Sequence, residues 1–156
     1  GHYTDDVSNP QEYPLSGMGA ANVGPEFTMN EYDALAELEE EEKKLFAEGK
    51  IAQLSNMTQV LWQCVYESNR WKKWLHGEEV GKDLKECTPE RQLWLVKTGC
   101  RYIWQKPEAL VARQMLYDNL ERLGIHAEEV VLMRIEHNMD KYYRAFNLID
   151  LNDYIK

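Results

Sequence analysis

The segment Arg70-Trp71-Lys72-Lys73-Trp74 interleaves three cations with two indoles in five residues. Single-strand nucleic-acid binders use that spacing, running a phosphate backbone along the charge while bases stack on the rings. A competing reading follows from helix geometry. Trp71 and Trp74 are three residues apart and share one helical face, so both rings turn into a core while Arg70, Lys72 and Lys73 splay outward. The second reading fits better, because stacking platforms need exposed rings and amphipathic helices bury theirs. Lys97 and Arg101 lie on the next helical stretch, with Lys106 close behind, and would extend the cations into a basic face. Arg70, Lys72, Lys73, Lys97 and Arg101 are thus the candidate patch for an acidic protein surface or a phosphate backbone. With 18 basic against 27 acidic residues, the chain has a net charge of −9 and repels nucleic acid at long range, which makes nucleic acid the less favoured partner.

Other chemistry-bearing residues fall short of a recognisable pattern. Ser16-Gly17-Met18-Gly19 suggests a phosphate-cradling loop, but Asn22 stands where the third glycine belongs and no buried strand precedes it. His126 and Glu129 share a helical face and Glu136 adjoins His137, without the HExxH or paired ExxH spacing of metal helices. The expectation is no metal and no cofactor. Cys64, Cys87 and Cys100 are odd in number and lack a CxxC pair, so reduced, buried thiols are expected in place of a disulfide framework.

The elements that must position these residues are helical. Thr28-Met29-Asn30-Glu31 matches a capping box, and Tyr32, Leu35, Leu38, Leu45 and Phe46 form an apolar stripe ending at Gly49. The Glu37–Glu42 run reads as a solvated face. A second helix is predicted from Asn56, as cap, to His76, followed by a polar surface loop over residues 77–87. Thr88-Pro89-Glu90 opens a third helix, with cap, N1 proline and first-turn acid in their preferred places. Pro107 turns the chain into a fourth that stops at Gly124, and a fifth runs from about His126 to Phe146. Leu148, Ile149, Leu151 and Tyr154 are expected to dock a further turn. The predicted fold is all-α, an irregular bundle of five to six helices: a single helical domain over residues 29–156 behind an extended, non-helical arm over residues 1–28.

The arm carries Pro10, Pro14 and Pro25 with Gly17, Gly19 and Gly24, and Tyr3, Tyr13, Leu15 and Phe27 are spaced as anchors for a partner. Gly24-Pro25-Glu26-Phe27 also reads as a junction peptide ahead of a domain beginning at Met29. No window approaches a membrane span, and no signal peptide is recognisable, so a soluble intracellular protein or a component of a virion or organellar complex is expected. Taken together these features predict a non-enzymatic structural or adaptor subunit of a hetero- or homo-oligomeric assembly. It would hold other protein subunits through its arm and its aromatic-rich helix faces. The alternative is a small regulatory factor acting on nucleic acid or its processing machinery. A third reading is a helical enzyme assembled from distant residues such as His76, His126 and His137.

Overall fold

The computed structural model describes residues 9–20 and 22–150, and among them every regular element is helical. Six α-helices follow in order: α1 (Glu12–Leu15), α2 (Gly24–Ala47), α3 (Met57–Ser68), α4 (Pro89–Gly99), α5 (Pro107–Glu121) and α6 (Ala127–Ala145). Short 3₁₀ turns at Arg70–Trp74, Gly77–Glu79, Leu84–Glu86 and Cys100–Tyr102 fill the corners. The all-α expectation is met.

The long helix α2 is the axis of the bundle and packs against α3, α4, α5 and α6. Its Leu35 meets Leu61 and Val65 of α3, Leu95 of α4 and Leu116 and Leu120 of α5 in one core, all fully buried. Each such side chain contributes roughly 1.5–3 kcal/mol on leaving water, which stabilises helices too short to persist alone.

The first long helix starts earlier than the capping pattern predicts. Pro25 takes the first turn and Glu26 supplies its acid, so the chain is already helical at Thr28, whose hydroxyl donates back to the Gly24 carbonyl at 3.1 Å. The junction-like tetrapeptide Gly24–Phe27 is thus the opening turn of the bundle's central helix. Glu31 is released from any capping role and pairs with Arg113 at 3.3 Å.

The predicted second helix is interrupted. Asn69 adopts φ 54°, a left-handed conformation that ends α3 at Ser68, and the chain continues as the 3₁₀ turn Arg70–Trp74. Asn56 precedes α3 in a similar left-handed conformation, and its side chain makes no capping bond. That work falls to Glu39 of α2, whose carboxylate accepts from the Thr58 amide at 3.2 Å and the Thr58 hydroxyl at 2.5 Å. One turn on, Glu42 accepts from the Ser55 amide and hydroxyl and from Asn119 Nδ2 of α5. Glu39 and Glu42 are buried, so the expectation of a wholly solvated acidic face is corrected. Their carboxylates tie three helices together through donors that burial would otherwise leave without partners.

The remaining helix ends follow the predicted grammar more closely. The Thr88 hydroxyl accepts from the Arg91 amide, and Pro89 and Pro107 open α4 and α5. Gly124 at φ 81° ends the α5 segment, with the Ile125 amide reaching the Leu120 carbonyl at 3.1 Å. The third helix is shorter than predicted, because the chain tightens into the Cys100–Tyr102 turn before Pro107. Asn147 ends α6 in the same left-handed manner, with Leu148 donating to the Tyr143 carbonyl. Leu148 and Ile149 stay exposed, and Leu151 and Tyr154, expected to dock beside them, lie outside the described residues.

Candidate functional site

The basic-aromatic segment sits on a 3₁₀ turn wedged between α3 and α4. Trp71 is buried, its indole N–H donating to the Tyr66 carbonyl at 3.1 Å, and its ring stacks on Tyr66, which stacks on Trp62. Trp74 is only half-buried and meets Trp94 edge-on at 6.2 Å. The expectation that both indoles would be buried thus holds for Trp71 and not for Trp74, which closes the turn at the exposed corner against Trp94 and Tyr102.

Around Tyr102, on the corner after α4, three cations converge. Lys73 Nζ lies 4.3 Å from the ring centroid and donates to the phenol oxygen at 2.5 Å, Arg101 lies at 5.2 Å and Arg70 at 5.6 Å. The hydrogen bond from Lys73 is the main reason the Tyr102 phenol is held below its ordinary pKa, with Arg101 and Arg70 adding to the field. Lys72 stands over Trp71 at the edge of this face. Lys97 does not belong to it. Its Nζ donates instead to Asp33 of α2 at 2.7 Å. A residue that sequence reasoning missed, Arg91, anchors the same corner by reaching Glu79 through two nitrogens and donating to the Trp74 carbonyl at 2.6 Å. Its guanidinium stacks on Trp94.

A second feature is a polar groove of about 610 Å³ between α2 and α6, lined by Glu26, Asp33, Lys97, Arg134, His137 and Lys141 among others. Its volume suits a small polar molecule. The charges inside it are matched, however: Lys97 with Asp33, Lys141 with Glu26 at 2.5 Å, and Arg144 with Asp140 at 2.6 Å. Glu26 is buried and also accepts from Asn138 Nδ2 and the Tyr142 hydroxyl, so it serves as a tie between the two helices.

The three histidines of the assembled-enzyme reading stand apart. His76 approaches the Trp74 carbonyl, His126 lies 3.2 Å from Glu121, and His137 lines the groove; no hydrogen bond or ion pair joins any two of them. Among the described residues no three His, Cys, Asp or Glu side chains cluster as a metal site. All three cysteines are free and buried. Burial raises the Cys64 thiol pKa and raises that of Cys100 well above the ordinary value, with Glu31 and Cys64 adding to the second.

Of the arm residues, Tyr3 lies outside the described residues. Tyr13 is half-buried where α1 touches α6, whereas Leu15 is 84% exposed. Phe27 sits within α2 and meets Tyr142 edge-on at 6.4 Å. No helix among the described residues is long and apolar enough to cross a membrane.

Residues 1–146 match the family described as D-tagatose-1,6-bisphosphate aldolase subunit GatZ/KbaZ-like. The chain belongs to this family. No curated protein and no solved structure matches it. Membership overturns both leading functional expectations, the virion or organellar structural component and the nucleic-acid regulatory factor, in favour of a family of aldolase subunits. Composition and helical periodicity report how the chain folds, and an aldolase subunit without a signature motif leaves no mark on either.

Proposed function

We propose that this chain is an accessory subunit of a D-tagatose-1,6-bisphosphate aldolase, working in sugar metabolism by binding and supporting a catalytic subunit without itself cleaving the carbon–carbon bond. The observation that carries the reading is the family match over residues 1–146, whose description names an aldolase subunit. The geometry lends support. An amine that attacks a substrate carbonyl must offer its lone pair, yet the two groove lysines, Lys97 and Lys141, each donate to a carboxylate, at 2.7 and 2.5 Å. These ammonium groups hold α2 to α4 and α6. They brace the helices and leave no free amine facing the groove.

The test is an aldol-cleavage assay on tagatose 1,6-bisphosphate with the chain alone, the catalytic subunit alone, and both together. The expected result is no cleavage by the chain alone, and faster or longer-lived cleavage by the catalytic subunit when the chain is added. Cleavage by the chain alone, lost in Lys97→Ala or Lys141→Ala, would show that it is catalytic.

A further inference from the structure

Most cations on this chain are spoken for. Arg91, Lys97, Arg113, Arg134, Lys141 and Arg144 each have a carboxylate within 4.0 Å. Arg70, Lys72, Lys73 and Arg101 have no such ion pair among the described residues, although the chain carries 27 acidic side chains. Three of them, Arg70, Lys73 and Arg101, lie within 5.6 Å of the Tyr102 ring centroid. Like charges held this close repel one another, and the ring's π-face offsets only part of that repulsion. Negative charge from outside the chain would relieve that repulsion.

We propose that the Tyr102 corner, with Arg70, Lys73 and Arg101 around the ring, docks a carboxylate-rich face of the aldolase's catalytic subunit. This rests on the accessory-subunit reading and adds which surface makes the contact and with what chemistry. Two observations select a protein surface over other anions. Tyr102 is 40% exposed beside Trp74, Trp94 and two arginines, the mixture that concentrates at the centres of protein interfaces. The rings have little face left for nucleobases, because Tyr102 is already approached by three cations and tilted against Trp74 at 6.1 Å, and Trp74 meets Trp94 and carries Lys73. Carboxylates meeting the outward sides of the guanidinium and ammonium groups would need no ring to be freed.

The experiment measures association of the full chain with the purified catalytic subunit at low and high salt. It compares wild type, the triple variant Arg70→Glu/Lys73→Glu/Arg101→Glu, and Arg122→Glu as an exposed change elsewhere; circular dichroism checks that each is folded. The triple variant is expected to bind at least about ten-fold more weakly and to lose the salt dependence seen in wild type, with Arg122→Glu unchanged. If the triple variant does not fold, the neutral Arg70→Gln/Lys73→Gln/Arg101→Gln set takes its place, with weakening in the same direction expected. Wild-type affinity in the folded triple variant would overturn the docking surface and leave the accessory-subunit reading standing. A wild-type chain that never binds the catalytic subunit would remove that reading and the docking surface together. Binding of a single-stranded oligonucleotide that the same triple variant abolishes, with subunit association intact, would reassign the corner to nucleic acid.

Discussion

Glu42 has 0% of its surface exposed, and a carboxylate in that position must find its hydrogen bonds inside the protein. It finds them at Ser55 and Asn119 and thereby fixes the α2–α3 connection against α5. Replacing it by Ala strands those donors in the core, and Glu42→Ala is expected to lower stability by roughly 3 kcal/mol in urea denaturation, whereas Glu40→Ala, on the exposed face, should leave the unfolding midpoint nearly unchanged. Helical period separates these two residues of one acidic run: Glu42 falls between Leu38 and Leu45 on the apolar stripe and Glu40 on the opposite face, a signal lost when the run is read as one solvated surface. Which donors meet the inward acids is not local, because Ser55, Thr58 and Asn119 arrive from distant segments. The thiols were easier to foresee, because Cys64 and Cys100 fall on apolar helical positions. With both pKa values raised by burial, neither should react with a thiol reagent at neutral pH until the protein unfolds, and labelling followed through a denaturant titration checks this.

At the scale of elements, two four-residue patterns of the capping-box type had opposite fates. Thr28-Met29-Asn30-Glu31 matched and did not cap, because Pro25 and Glu26 start the helix before it. Asp83-Leu84-Lys85-Glu86 does cap its 3₁₀ turn, with both reciprocal bonds formed, inside the segment expected to be a plain polar loop. Local pattern proposes a start, and the residues just upstream decide whether the chain is already helical. That loop is held to α4 by Glu79 and Arg91. Hydrogen bonding from Arg91 is the first cause that holds the Glu79 carboxyl below its ordinary range. A carboxylate lowered in the folded state stabilises above its unfolded pKa and loses that contribution as pH falls through the lowered folded value. Fluorescence of Trp94, against which Arg91 stacks, should therefore report a loosening on acidification that Glu79→Gln already shows at neutral pH. A tighter constraint lies between α3 and α4. A Cβ built on Gly99 falls 2.6 Å from Val65 Cγ1, and the buried, β-branched Val65 has little room to yield, so Gly99→Ala is expected to cost about 1–3 kcal/mol in thermal or chemical unfolding.

At the scale of the whole molecule, the fold class and most helix ends were legible because apolar period, proline and glycine act locally. The basic corner around Tyr102 was legible only in part. Arg70, Lys73 and Arg101 stand together as the charge pattern suggested, whereas Lys97 is drawn into an ion pair with Asp33 of α2, and Tyr102, their common centre, could be found only once the chain turned back at residues 100–102. The family, in turn, rests on similarity over residues 1–146 and on no motif that chemistry alone would single out. As an accessory subunit, this chain is expected to form a stable complex with an aldolase catalytic subunit. The most direct measurement is the mass of the species formed when the two purified proteins are mixed, by size-exclusion chromatography with light scattering. The account predicts a co-eluting complex of fixed stoichiometry that dissociates as salt rises; two separate peaks at every salt concentration and protein concentration tested would contradict it.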